Sequence, residues 1–193
     1  MSAIVANPAE VSCVTDVVSD AFLSDPVWSW VFHDKRSMRA YWAMFIKSAL
    51  RFPFVFRTRG YEAVSVWIPP EGTAFLPEDA QSFEQILEEL CGERASEVAG
   101  FLDKFDEAHP RSEPHYYLGL LGTASQHRGQ GIGMSLLGQN LKLMDELQMP
   151  AYLESSNELN NPKYAALGFE SVSSFQVPGN GPIVTGMWRA PRS

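Results

Sequence analysis

A glycine-rich stretch between an apolar run and an amphipathic segment places the tightest constraint on how this chain can fold. Residues 116–121 are almost entirely apolar, and a polar link at 123–127 leads into the sequence RGQGIG at 128–133. Leucines then recur at helical spacing over residues 134–148. This order predicts a buried strand, a tight turn and a helix whose first turn carries few side chains.

A helix that begins in this way is suited to an anionic ligand. The first four N–H groups of a helix have no acceptor within it, and the macrodipole adds partial positive charge at the same end. Glycine at 129, 131 and 133 leaves those N–H groups accessible, and Arg128 adds a cation beside them. We therefore expect a phosphate or pyrophosphate ligand at this turn.

The spacing of the glycines excludes two common phosphate-binding motifs. A P-loop requires Lys and then Ser or Thr after its second glycine, and neither follows Gly131 or Gly133. A dinucleotide fingerprint that starts at Gly129 requires Gly or Ala where this chain has Met134, and one that starts at Gly131 meets Leu136. The alternative is that these glycines only shape a tight turn and bind no phosphate.

The remaining pattern, Arg128-x-x-Gly131-x-Gly133, resembles the acetyl-CoA signature of the GNAT acetyltransferase superfamily. The resemblance implies an α/β fold with a central, mixed but mostly antiparallel sheet flanked by helices, in which a parallel pair formed by the fourth and fifth strands splays apart. It implies one such domain over residues 1–193, with the motif-bearing core at about 112–190. The strand at 116–121, the helix at 134–147 and a strand at 151–153 would form its right-handed βαβ unit.

A second segment extends the resemblance. In the superfamily an Asn ends the fifth strand, a short helix carries a Tyr, and a Gly-Phe pair opens the sixth strand; Asn157, Tyr164 and the pair at 168–169 follow that order. The sequence YLESSN at 152–157 looks closer still to small-molecule acetyltransferases of the puromycin-acetylating kind. Lys163 departs from that subtype, which often has an aromatic residue there.

Outside these motifs, the chain alternates predicted helices and short strands. An apolar run at 2–6 predicts an edge strand, and helical spacing follows over about 11–22 and again over 36–51. Residues 52–57 and 63–68 predict a hairpin, and 170–177 and 183–189 predict two final strands. The acidic stretch 78–104 predicts one long helix or two, broken near Gly92 and Gly100.

Composition and charge narrow the possible functions. The 193 residues are 45% hydrophobic and 20% charged, which is typical of a globular chain with one substantial core. A formal net charge of -8 disfavours a protein that coats nucleic acid, because phosphate-backbone binding needs clustered Lys and Arg. The sequence predicts no membrane segment or leader and a cytoplasmic location. Cys13 and Cys91 are too few for a zinc site, so we expect no metal.

The resemblance implies direct transfer of an acetyl group from acetyl-CoA to the primary amine of a small molecule. By position, the backbone of Leu121, Gly122 and Thr123 would bind the pantetheine arm and the acetyl oxygen. Asn157 and Asn161 are further candidates for contacts to that arm. The candidates for binding the phosphates are Arg128, Gly129, Gln130, Gly131, Ile132, Gly133 and Met134.

Catalysis then needs an acid for the departing thiolate and a base for the amine. Tyr164 is the candidate acid, because a phenol with a pKa of about 10 is protonated at neutral pH. Glu154, at the end of the fifth strand, is the first candidate base, and His115 and Tyr117, whose side chains share a face at the start of the fourth strand, are the alternatives. The candidates for lining the acceptor pocket are Trp28, Trp30, Phe32, Trp42, His115 and Tyr117.

Two other function classes compete with transfer to a small amine. A protein or peptide N-acetyltransferase would need an open groove, whereas the aromatic-rich N-terminal helices favour a closed pocket for a small ligand. A non-catalytic sensor would bind CoA without transferring an acetyl group. The sequence does not decide between a monomer and a homodimer.

Overall fold

A seven-stranded sheet with helices on both faces forms the centre of the protein in a computed structural model that describes residues 2–192. The strands lie in the order β1-β2-β3-β4-β5-β7-β6. Every pair is antiparallel except β4 and β5, which run parallel. The strands are β1 (Ile4–Val5), β2 (Val55–Arg57), β3 (Ala63–Ile68), β4 (Tyr116–Thr123), β5 (Ala151–Ser155), β6 (Glu170–Gln176) and β7 (Ile183–Arg189). This mixed sheet confirms the predicted fold class.

The helices confirm most of the predicted pattern. They are α1 (Val11–Phe22), α2 (Trp28–Val31), α3 (Lys35–Ala49), α4 (Pro77–Gln81), α5 (Phe83–Cys91), α6 (Ala95–Ala108), α7 (Ile132–Glu146) and α8 (Asn161–Ala166). The predicted break at Gly92 is present, and this glycine has a φ of 57° that other residues rarely adopt. The predicted break at Gly100 is wrong, because this residue lies inside α6. Among residues 2–192, none of the helices combines the length and apolar character needed to cross a bilayer.

Two apolar cores lie on opposite faces of the sheet. On one face, α1, α2, α3, α5 and α6 pack against the sheet through aromatic and branched side chains. On the other face, α7 packs through Leu136, Leu137, Leu141 and Met144. Asn140, in the middle of α7, is buried and accepts hydrogen bonds from the Ser65 hydroxyl at 2.7 Å and the Trp67 indole at 3.1 Å. The helix is thereby fixed in register over β3.

The parallel pairing of β4 with β5 ends after three residue pairs. Tyr116, Tyr117 and Leu118 lie opposite residues 151–153, and no later pair joins the two strands within the described chain. Beyond that point β4 continues to pair only with β3, and β5 only with β7. A bulge in the β3–β4 ladder falls at Gly119, at the point where the strands part. The sheet therefore has a gap between Gly119 and Glu154.

A partly buried ion pair ties the end of α7 to the last strand. The two terminal guanidinium nitrogens of Arg189, Nη1 and Nη2, donate to the Asp145 carboxylate at 2.7 and 2.8 Å, and the Arg192 backbone N–H donates to the same group. The Arg189 side chain is only 3% exposed. The hydrogen bond from Arg189 holds the pKa of Asp145 below its usual range.

Asp145→Asn is expected to lower the free energy of unfolding by about 2–4 kcal/mol at pH 7, because Arg189 stays buried without a counter-charge. Since the folded pKa of Asp145 is lowered, its contribution is complete above the unfolded pKa of about 3.9. The contribution is lost as the pH falls through the lower folded value. Urea unfolding at pH 7 and pH 3 measures both effects, with Asp16→Asn in the exposed Arg39 pair as the control. Equal losses in the two variants would contradict the prediction.

Candidate active site

Two cavities meet at the gap between β4 and β5. The first, which we call the aromatic cavity, has a volume of about 760 Å³ and is lined by α3, α6 and the loops that follow β3 and precede β4. The second, the glycine-turn cavity, has a volume of about 530 Å³ and is lined by the end of α1, the start of α7, the end of β5 and α8. Both are lined by Trp28, Phe105, Tyr117, Gly119 and Glu154. A ligand in either cavity therefore reaches the same short stretch of the gap.

The glycines of the turn are required for different reasons. Gly129 and Gly131 have φ values of 76° and 73°, and a Cβ at either position would meet nothing within 4 Å. At Gly133 the constraint is packing, because a Cβ would stand 2.4 Å from the Thr123 hydroxyl oxygen on β4. The backbone is thus left-handed at the first two glycines of the turn, and the third glycine packs closely against the sheet. Residues 131–134, which carry the free N–H groups of α7, line the cavity.

Of the two other predicted phosphate-binding residues, Arg128 and Gln130, the first lines this cavity and the second does not. Arg128 lines the cavity, and its guanidinium donates to the Ser24 hydroxyl at 2.9 Å and to the Ala21 carbonyl oxygen at the end of α1. Gln130 is exposed and lies outside the lining. Arg128 thus joins the glycine turn to α1 in this structure.

The residues predicted to contact the pantetheine arm divide into two groups. Leu121, Thr123 and Asn157 line the glycine-turn cavity. Gly122 is buried between the first two, and its Cα faces α1. The prediction is wrong for Asn161, which does not line the cavity. Its side chain faces β7 and donates to the Thr185 hydroxyl at 3.1 Å. Its neighbour Asn160 lines the cavity instead.

Tyr164, the predicted acid, lies on α8 and lines the glycine-turn cavity. Its ring packs edge-on against Phe169, with 6.1 Å between ring centroids. Burial raises the pKa of Tyr164 to about 12, and the negative charge of Asp25 adds to this shift. The phenol therefore keeps its proton throughout the physiological range and is able to donate it.

Glu154, the predicted base, is a deeply buried carboxylate beside the gap. Its side chain is 2% exposed, and neither carboxylate oxygen has a hydrogen-bond partner among the described residues. Burial raises the pKa values of Tyr117 and Tyr152, and the negative charge of Glu154 and the closeness of both phenols to its carboxylate raise them further. A buried carboxylate without a partner is costly for stability, which is typical of a group retained for function.

Two histidines extend from Glu154 along the aromatic cavity. His109 places Nδ1 3.6 Å from the Glu154 carboxylate and Nε2 3.0 Å from Nε2 of His115. The other ring nitrogen of His115 bonds to the Glu113 carbonyl oxygen at 3.0 Å. Burial lowers the pKa of His115. The sequence predicted His115 but missed His109, whose only signal was its place in the loop before the central strand.

The aromatic cavity contains only part of the predicted acceptor lining. Trp28, Trp42, His115 and Tyr117 line it. The prediction is wrong for Trp30, which packs edge-on against Phe101 under the Arg94 guanidinium, and for Phe32, which is buried and stacked on Trp28. The aromatic lining residues that the sequence did not single out are Tyr41, Phe45, Phe75, Phe83 and Phe105.

Charged residues around the aromatic cavity are mostly acidic. The carboxylates in its lining are Glu71, Asp103, Asp106, Glu113 and Glu154. Arg111 also lines it and pairs with Asp106 at 2.6 Å. The described residues contain no cluster of three or more His, Cys, Asp or Glu side chains arranged to bind a metal. The lining therefore favours a ligand with an apolar body and a positive charge.

A family comparison agrees with this architecture. The model of the acetyltransferase (GNAT) family matches residues 61–169, which is more than half of the chain. The chain belongs to the GNAT family. The match includes the hairpin strand β3, the glycine turn, the gap and α8.

Individual relatives are distant. The chain is 25% identical over 167 residues to an uncharacterized N-acetyltransferase of Schizosaccharomyces pombe. That alignment covers 78% of this chain and 66% of the relative, so the chain spans slightly less than two thirds of the relative's length.

Solved structures share the fold of this GNAT protein. A Corynebacterium glutamicum protein described as histone acetyltransferase HPA2 and related acetyltransferase is 22% identical, with a TM-score of 0.70 and coverage of 100% and 97% of the two chains. A Drosophila melanogaster polyamine N-acetyltransferase is 13% identical, with a TM-score of 0.69 and coverage of 98% and 99%. Arylalkylamine N-acetyltransferase 2 from Aedes aegypti is 10% identical, with a TM-score of 0.68 and coverage of 99% of each chain.

Two glycines of α7 provide a matched test of the packing at the turn. Gly133→Ala is expected to lower the free energy of unfolding by about 1–3 kcal/mol, because the new Cβ would collide with Thr123. Gly138→Ala in the same helix, where a Cβ would meet nothing within 4 Å, is expected to raise it by about 0.5–1 kcal/mol. Denaturant unfolding measures both values. Effects of the same sign would show that the contact with Thr123 is not a constraint.

Proposed function

We propose that this GNAT protein transfers an acetyl group from acetyl-CoA to the primary amine of a small molecule. The observation that carries the proposal is that two cavities, one suited to a phosphate-bearing donor and one to a cation, meet at the buried Glu154. Such a meeting point brings the two reacting groups together and shields them from water.

The glycine-turn cavity fits the donor. Free N–H groups at residues 131–134 and open space beside Gly129 and Gly131 suit a diphosphate. Beyond Leu118, β4 has no partner on the β5 side, so its backbone groups are available to an extended amide-bearing arm. Acetyl-CoA bound in this way supplies an activated acyl carbon at the gap, near Glu154 and Tyr164.

The aromatic cavity suits a small amine with an apolar part. Its carboxylates attract an ammonium group, and Trp28 and Trp42 offer aromatic faces to the rest of the molecule. Distant relatives of the same fold include a polyamine and an arylalkylamine N-acetyltransferase, which supports this class of acceptor. A cavity of about 760 Å³ is also in the range of small-ligand sites.

The residues around the gap provide for the protons of the reaction. The transfer forms a bond between the amine nitrogen and the acyl carbon and breaks the bond between that carbon and sulfur. Glu154 accepts one proton from the entering ammonium, which frees the nitrogen lone pair. Tyr164 donates its phenolic proton to the departing sulfur and regains a proton from the acylated nitrogen, so each turnover releases one proton overall.

The proposal is tested by measuring free thiol released when the protein is incubated with acetyl-CoA and a panel of arylalkylamines, polyamines and short peptides. We expect thiol release to depend on a small amine and calorimetry to detect acetyl-CoA binding. Absence of binding would overturn the whole proposal. Binding without transfer to any amine would indicate a sensor, and transfer only to peptides would indicate the protein-modifying class.

Tyr164→Phe is expected to lower kcat by about 10–100-fold, because the departing sulfur loses its proton donor. The dissociation constant of acetyl-CoA should change by less than about twofold, since the ring still fills its place beside Phe169. Steady-state kinetics and calorimetry separate the two effects. Tyr116→Phe, which removes a phenol that packs on Phe54, is the control. An unchanged kcat would exclude Tyr164 from the mechanism.

A further inference from the structure

We infer that His109 is a second proton-accepting residue, which acts through Glu154 and releases the amine proton to solvent. This inference rests on the proposed acetyl transfer, and it concerns how the base of that reaction is regenerated. Glu154 is 2% exposed, so a proton that it accepts has no direct exit to water. The His109 side chain is 27% exposed and lies beside it.

The hydrogen bonds determine which nitrogens of the histidine pair carry protons. A carbonyl oxygen only accepts, so Nδ1 of His115 donates to Glu113. Burial lowers the pKa of His115, which is therefore neutral and has a free lone pair on Nε2. Nε2 of His109 then donates to that lone pair across 3.0 Å.

This assignment leaves Nδ1 of His109 facing Glu154. In a neutral His109 that nitrogen has a lone pair, 3.6 Å from a carboxylate oxygen. When two hydrogen-bond acceptors, here an imidazole nitrogen and a carboxylate oxygen, face each other away from solvent, a proton shared between them is favoured. His109 also directly follows α6, and the end of a helix favours a cation. The pair is thus arranged to take up a single proton.

The proton balance of the step is simple. The ammonium gives one proton to the Glu154 carboxylate, and this proton passes to Nδ1 of His109. The amine is then neutral, Glu154 is again a carboxylate, and His109 is an imidazolium paired with it. The imidazolium loses the proton to water in the aromatic cavity before the next amine binds.

The other groups around this pair are two phenols, a carbonyl oxygen and exposed charged side chains. Tyr117 from β4 and Tyr152 from β5 contact the His109 ring edge-on, at centroid distances of 4.9 and 5.1 Å, and burial keeps both phenols protonated. Glu113 approaches through its carbonyl oxygen. Asp106 and Arg111 bond to each other, with side chains that are 79% and 68% exposed. Glu154 is therefore the carboxylate that faces Nδ1.

The kinetic test is the pH dependence of kcat/KM for the acceptor amine in His109→Gln. Gln retains a donor for His115 but cannot take up a proton at Nδ1. We expect kcat/KM to fall by about 10–100-fold at pH 7. The deficit should shrink to a few-fold by pH 9.5, because more of the amine arrives already neutral. His33→Gln, an exposed histidine outside both cavities, should follow the wild-type profile.

A second measurement does not depend on acetyl transfer. In nitrogen-15 spectra of the histidine rings recorded across a range of pH, the second proton of His109 should appear on Nδ1, and neutral His115 should carry its single proton on Nδ1. In Glu154→Gln, Nδ1 of His109 should gain its proton only at a lower pH than in the wild type. Wild-type protein that transfers no acetyl group would overturn the proposed function while these spectra still test the pair. A wild-type pH profile in His109→Gln, or His109 spectra unaffected by Glu154→Gln, would overturn the inference.

Discussion

The early end of the β4–β5 ladder is the constraint on which the rest of the site depends. Backbone N–H and C=O groups need partners, and a strand that leaves its neighbour in mid-sheet exposes a row of them. Here the parallel pairs stop at Leu118, and the bulge at Gly119 turns β4 away. Because both strands continue to pair on their outer sides, the gap lies inside the sheet and not at its edge.

Packing on both faces maintains this gap. On one face, α7 begins close to β4 because Gly133 has no side chain to strike Thr123. On the other, α1 lies against Gly122 and is joined to the glycine turn by Arg128. These contacts place the end of α1 and the start of α7 beside β4, where both helix ends line the glycine-turn cavity.

Local signals in the sequence predict most of the helices and strands. They do not predict which side chains of an element face a cavity. The strand, glycine turn and helix were predicted because apolar runs and glycines act on the backbone beside them. The aromatic residues were harder, because Trp28 and Trp30 look equivalent in sequence while a short helix turns one to the cavity and the other to Phe101. For the same reason, the sequence favours Asn161 as a cavity residue, whereas in the structure its neighbour Asn160 lines the cavity.

By itself, the sequence determined the class of fold, the position of the glycine turn and the family to which the chain belongs. These depend on residue type and spacing over short stretches. Only the tertiary structure decided which groups surround the gap. His109 lies in a loop and Glu154 on a strand, and no local pattern relates them. They meet because α6 ends beside β5 once the sheet has formed. Contacts between distant segments depend on packing, which is a property of the whole chain.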